Sequence, residues 1–223
     1  MKGQGGVSVK GNTNLSTIIY QDLRFQLIVG KLEPGDSLSI RTLAEQYNVS
    51  TMPIREALKK LETEKALTGA IKKAYRVPEL LPREVYNLFH IRAVLEGAGA
   101  EIAATTMGQS DIDTILRLTL VVDAAWKQGD AHRFLENNFA FHSTIYQAAN
   151  NQDLSDIAES LYARSGPWLG KAIRHMASVD EWESHHYDIV KAIKSRDGTE
   201  ARRLMEEDVK WGMNLFGEAA KDN

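Results

Sequence analysis

Val49-Ser50-Thr51-Met52-Pro53-Ile54-Arg55-Glu56-Ala57-Leu58 is the stretch from which the rest of the chain is read. Ser50 is placed to cap a helix, because a serine oxygen can accept from the free N–H groups of a first turn. Pro53 falls in that first turn, where no intrahelical donor is lost. Ile54, Ala57, Leu58 and Leu61 recur at helical spacing and predict a buried side. Thr51, Arg55 and Lys59 are four apart and share the opposite side. Just upstream, Ser39 to Tyr47 reads as a shorter helix, capped by Ser39, with Leu43, Ala44 and Tyr47 as its apolar face. Tyr47-Asn48-Val49 makes the turn between the two. Asn48 enters the left-handed region at lower cost than most residues, as such a turn requires.

A capped helix start that carries short polar and cationic groups suits the DNA major groove. The groove accepts a helix end, and an arginine there can donate to two guanine acceptors. Helix-turn-helix spacing also arises by chance in ordinary helical hairpins, so the charge distribution matters. The net charge of −3 is uninformative alone. Residues 1–78, however, hold 12 Lys/Arg against 7 Asp/Glu, whereas the remainder holds 15 against 23. A basic first third on an acidic body is the footprint of a DNA-binding head joined to another module.

Leu32-Glu33-Pro34-Gly35-Asp36-Ser37-Leu38, Leu43-Ala44-Glu45 and Val49-Ser50-x-x-Pro53-Ile54-Arg55-Glu56-Ala57-Leu58-x-x-Leu61-Glu62 together resemble the winged helix-turn-helix domain of GntR-type bacterial transcription regulators. The resemblance implies that Arg41, Ser50, Thr51, Met52, Pro53 and Arg55 meet DNA. Two departures stand out. Thr51 occupies a position where the family has arginine, which implies a changed base preference. The wing tip reads Lys72-Lys73-Ala74 where the family has a glycine.

Around this core, Leu15 to Val29 reads as a helix, with Ile18, Ile19, Leu23, Leu27 and Ile28 on its apolar side. Pro34 then Gly35 at the centre of a four-residue turn favours type II. Thr68 to Val77 is short, basic and rich in Tyr and Val, which predicts a β-hairpin wing whose Lys72, Lys73 and Arg76 reach phosphates. The domain organisation follows: 1–14 a polar, glycine-rich arm; 15–77 a winged helix-turn-helix; 78–82 a linker with proline at both ends; 83–223 a helical effector-binding and dimerisation domain. The chain has no cysteine, hence no disulfide and no thiolate metal site. No apolar run approaches the roughly 18 residues of a membrane span, and the start lacks the apolar segment of a secretory signal. A cytoplasmic protein is expected.

From Pro82 onward no strand pattern is present. Six helices are predicted, roughly 82–107, 111–128, 130–149, 152–175, 180–195 and 198–217, forming an antiparallel bundle. The fold class is therefore mainly α. Leu88-x-x-x-Arg92-x-x-Leu95-Glu96, Phe139-x-Phe141-His142 and His186-x-x-Ile189-x-x-Ala192-Ile193 resemble the all-helical FCD-type effector domain of the FadR branch, in its six-helix form.

The inward stripes of this bundle are interrupted by polar groups. They run Val85, Leu88, Arg92, Leu95, Gly99; Leu135, Asn138, His142, Ile145, Ala149; Trp182, His186, Ile189, Ile193; and Ala201, Leu204, Asp208, Trp211, Leu215. A buried charge without a partner costs several kcal/mol, so four such breaks are best explained if they meet. Asn138 and His142, at i and i+4, can chelate one ion, and His186 and Asp208 can add two ligands. This set suits Zn²⁺ or Ni²⁺, with Mn²⁺ admissible, and leaves positions open for a further ligand. The branch commonly uses Asp or Asn followed by three histidines, so Asn138 and Asp208 are the less usual types. Arg92 is a candidate anchor for an anionic effector, since a guanidinium pairs a carboxylate through two bonds. An internal salt bridge to Glu96, one turn along, is the competing reading.

The function expected is a DNA-binding transcription regulator, a homodimer acting as a repressor on double-stranded operator DNA. The resemblance implies a small carboxylate or sugar acid as effector and no membrane partner. The alternative is a metal-dependent enzyme in a helical bundle, with an open metal position activating water. Against it, no His-Glu-x-x-His pair is present, and the basic head would be unexplained; no enzyme is expected.

Overall fold

The computed structural model describes residues 14–71, 74–175 and 184–217. The arm up to residue 13, Lys72, Lys73 and Trp182 lie outside the described residues, as does the side chain of Leu215.

The head begins with α1 (Leu15–Ile28), whose first turn is closed by Asn14 accepting from the Ser16 N–H. Leu23 and Leu27 on its inner side are fully buried. A turn follows in which the Asp36 N–H donates to the Glu33 carbonyl at 3.0 Å. Gly35 sits there at φ +90°, as the third residue of a type II turn must. A short strand, β1 (Ser37–Ser39), then leads into α2 (Ile40–Tyr47). Ser39 ends the strand and caps the helix, accepting from the Thr42 N–H at 3.4 Å. Asn48 terminates α2 at φ 53°, ψ 49°.

The second helix of the motif is α3 (Thr51–Thr63), and Ile54, Ala57, Leu58 and Leu61 are its buried side. Ser50 adopts the extended N-cap backbone, but its side chain makes no capping hydrogen bond. This differs from the expected cap. The helix is held instead by the burial of its apolar side and by Pro53, which removes one of the orphan donors.

The wing is β2 (Thr68–Ile71) and β3 (Ala74–Arg76), antiparallel. It is not a lone hairpin: β1 pairs with β3, Leu38 opposite Tyr75, giving the order β1-β3-β2. A three-residue strand carries too little alternation to announce itself in sequence.

The body consists of α4 (Pro82–Thr106), α5 (Gln109–Lys127), α6 (Ala131–Gln147), α7 (Gln152–His175), α8 (His186–Lys194) and α9 (Gly198–Gly217). Pro82 occupies the first turn of α4, and Glu84 accepts from the Leu81 N–H at 2.8 Å to close it. The predicted fifth bundle helix opened at 180. Residues 180–183 are outside the described residues, and Ser184 and His185 precede the helix. α4 packs along α9 and contacts α6, α7 and α8, so it is the central rod of the bundle.

Among the described residues two large apolar cores result, beside a small cluster of Tyr146, Leu154 and Ala158. One gathers Phe89, Ile115, Phe141, Ile189, Ile193 and Met205 inside the bundle. The other belongs to the head, yet it includes Tyr162 and Ala163 of α7. That α7 enters the core of the head was not foreseen from the sequence. Tyr162 and Ala163 are distant from the head in the chain and lie on an ordinary-looking helix. Among the described residues no helix is long and apolar enough to cross a membrane.

Candidate functional site

Four helices bring polar groups to one place inside the bundle. α6 presents His142, α8 His186 and α9 Asp208, and all three are buried. Asp208 Oδ2 lies 3.2 Å from His142 Nε2 and 3.5 Å from His186 Nε2. One ligand atom from each lies within 4.8 Å of the others. Ligand atoms bound about 2.1 Å from an ion sit roughly 3–4 Å apart, which both pairs through Asp208 satisfy. Asn138, one turn before His142 on α6, lines the same cavity as Arg92, His142, Asp208 and Trp211. His186 is further fixed by stacking on Phe141, with ring centroids 4.0 Å apart.

Behind His142 stands Glu96 of α4, which is fully buried. Its Oε2 faces His142 Nδ1 at 2.9 Å, and its Oε1 accepts from Arg92 Nε at 2.8 Å. A carboxylate on the far nitrogen of a ligating histidine fixes the ring and raises its basicity. Arg92 is thus paired with Glu96, as the competing reading of the sequence held. It also donates to Ser165 Oγ at 3.2 Å and lies over the Tyr162 ring at 3.5 Å. Its guanidinium still borders the cavity.

Sequence reasoning missed Glu96 as a partner of His142. The inward stripe of α4 was drawn through Leu95, which is half-buried, whereas Glu96 is 0% exposed. The signal was present in the i, i+4 spacing of Arg92 and Glu96, which puts both on one face.

The charges act on one another strongly. Burial opposes a proton on His142, but Asp208 and Glu96 outweigh it and carry its pKa up to about 9. Burial would raise Asp208, yet the two histidines hold it well below the usual carboxylate range. Burial would likewise raise Glu96, and Arg92 and His142 bring it down. A site that gathers this much negative potential around two imidazoles offers nitrogen and oxygen donors to a divalent cation. By that chemistry the residues fit a metal.

In the head, Ser50, Thr51, Met52 and Arg55 are exposed at the start and along the outer side of α3, Met52 at 64%. Pro53 is half-buried. The side chain of Arg41 is 89% exposed and pairs with Glu45 at 3.0 Å. Lys72 and Lys73 cannot be placed, being outside the described residues.

A winged helix-turn-helix with an outward-facing second helix, joined to an all-helical domain, defines the class of a transcription regulator. The profile described as "Bacterial regulatory proteins, gntR family" matches residues 15–77, and the "FCD domain" profile matches residues 87–210. The chain belongs to the GntR family, with an FCD domain as its second module. It is 30% identical over 205 residues to the HTH-type transcriptional regulator McbR of Escherichia coli K12, covering 91% of this chain and 92% of that one. It is 29% identical over 189 residues to the gluconate operon transcriptional repressor of Bacillus licheniformis, covering 79% and 74%. The solved structure of E. coli McbR/YncC superposes with a TM-score of 0.86 at 28% identity, covering 93% of this chain and 99% of that one. A GntR regulator from Rhodococcus sp. RHA1 shares the fold, with a TM-score of 0.73 at 18% identity over 93% of this chain and 99% of that one. These relatives are regulators, and the chain is a transcription regulator, not an enzyme.

Proposed function

We propose that the protein is a homodimeric cytoplasmic repressor whose grip on operator DNA is controlled by a small carboxylate bound at a divalent metal in the bundle. Residues 15–77 form the DNA-binding domain, 78–82 the linker and 83–223 the sensor. Arg41, Ser50, Thr51, Met52, Pro53 and Arg55 meet the operator, with Lys72 and Lys73 on its phosphates. A two-fold pair of heads would set its recognition helices about 34–36 Å apart. Asn138, His142, His186 and Asp208 hold the ion, Zn²⁺ or Ni²⁺ by donor type and Mn²⁺ if more oxygen ligands join. When bound, the ion supplies a Lewis-acidic point for a carboxylate. Glu96 keeps the His142 ring oriented, and Arg92 adds positive charge to the cavity wall, with Glu96 and Ser165 taking two of its five N–H donors.

The observation that carries the reading is the convergence of His142, His186 and Asp208 from three helices, with Glu96 behind. Support for a sugar acid and for repression comes from the relative named for the gluconate operon. The cavity has only about 30 Å³ for the centres of water-sized molecules. That is space for one or two waters, so an organic acid must open the wall as it binds. An effector that opens the wall favours one arrangement of the bundle over another, as ligand control requires.

The test is calorimetric titration of Zn²⁺ and Ni²⁺ into EDTA-stripped protein, paired with gel retardation on operator DNA against competitor. One ion per chain is expected, with affinity falling at least ten-fold in Asp208→Ala. Equal affinity in wild type and variant would remove the site from the proposal.

A further inference from the structure

α7 stands between the cavity and the head, and its two long sides face different ways. Tyr162, Ser165 and Leu169 turn to the sensor, and Tyr162 also reaches the head core. Arg92 donates to Ser165 and lies over Tyr162, and Leu169 lines the cavity itself. Ala163, Gly166, Gly170 and Arg174, at spacings of three and four, turn to the head. Ala163 is part of the head core. A Cβ on Gly166 would lie 2.4 Å from the carbonyl oxygens of Leu27 and Ile28, and one on Gly170 would lie 2.7 Å from the Cα of Gly30. At this seam the backbone of the head lies directly on the backbone of α7. No side chain stands between them to absorb a shift.

Polar ties lock both ends of the seam. Arg24 of α1 donates to Glu159 at 2.7 Å, while Arg174 donates to the Gly30 carbonyl at 2.8 Å and to Glu33 at 2.9 Å. At the sensor side the connection is equally direct. Asp208, His142, Glu96, Arg92 and Ser165 form an unbroken series of contacts at 2.8–3.2 Å from α9 to α7.

We infer that α7 is the element that transmits the state of the cavity to the DNA-binding head, through the Arg92–Ser165/Tyr162 contact on one side and the Gly166/Gly170 seam on the other. The inference rests on the proposed sensor reading and assigns its route. Opening the cavity on its Leu169 or Arg92 side moves α7, since Leu169 belongs to that helix and Arg92 is bonded to it through Ser165. The seam turns that displacement into a change in how α1 sits. Coupling of this kind is reciprocal, so disturbing either end must be felt at the other.

Hydrogen exchange by mass spectrometry on the full chain tests this. Gly170→Ala should speed exchange in peptides covering residues 19–30 at least ten-fold. It should also change exchange of residues 88–97, on α4, at least three-fold. Arg92→Met should change residues 19–30 at least three-fold, and Ser165→Ala, which leaves the core volume nearly intact, should do so in the same direction. Ile157→Ala, on an exposed part of α7, serves as the control and should change neither. If each variant altered only its own end, the inference would be overturned.

Added Zn²⁺, with binding followed by calorimetry, separates the outcomes. Binding that shifts residues 19–30 supports the route, and binding that leaves them unchanged overturns it. If Zn²⁺ does not bind, the metal reading fails, and the substitutions alone decide the route.

Discussion

His142 is held by carboxylates on both sides, Glu96 on Nδ1 and Asp208 on Nε2, with His186 against Asp208 and Arg92 against Glu96. Its pKa of about 9 lies above the roughly 6.5 of an imidazole in an unfolded chain. The sign follows from that order. In EDTA-treated protein its contribution is fully present below about pH 6.5 and is lost as pH rises through about 9. The amount is on the order of 3 kcal/mol. Thermal unfolding of wild type between pH 6 and pH 10 should show this decline, and His142→Gln should flatten it. The same proton stands in the way of a metal, which takes the neutral ring. Titration in buffers of different ionisation enthalpy should therefore show proton release with Zn²⁺, and an affinity that climbs towards pH 9.

Among the elements, α4 depends on a residue far from it in sequence. Arg196, in the turn after α8, takes the left-handed conformation at φ 61°. From there its guanidinium donates to the carbonyls of Ala104 and Met107 at 3.0 and 2.9 Å. These carbonyls lie at the C-terminal end of α4, where intrahelical partners run out. Arg196→Ala should remove two charge-assisted bonds and lower stability by about 1–3 kcal/mol, read as a denaturant midpoint shift at unchanged slope. The helices themselves were legible because their apolar residues recur with helical period. β1 was not, since three residues carry no period and their partner strand lies about forty positions downstream.

Over the whole molecule, the exposed face of α3 and the buried polar cluster of the bundle belong to different parts of one chain. Arg55 is exposed on α3 and is not among that helix's buried residues. Arg55→Ala should weaken operator binding by about 1–3 kcal/mol, the worth of one bidentate base contact. Melting temperature and Zn²⁺ titration should stay those of wild type, and gel retardation beside calorimetry checks both. The head could be read from the sequence because its signals are contiguous: a cap, a turn residue, a proline and one apolar side within a few turns. The metal candidates were legible as breaks in apolar stripes, though the stripe through Leu95 passed one residue wide of Glu96.

By itself the sequence determined the order and type of the main elements, the basic head on an acidic body, and the polar residues with reason to meet inside the bundle. These follow from local periodicity and from the cost of burying a lone charge, which are properties of the chain one segment at a time. Only the tertiary structure decided that Glu96 backs His142, and that α7 lies against α1 with glycine on both sides. Those are contacts between segments far apart in the chain, where packing of one backbone on another selects the partner and no local pattern records it.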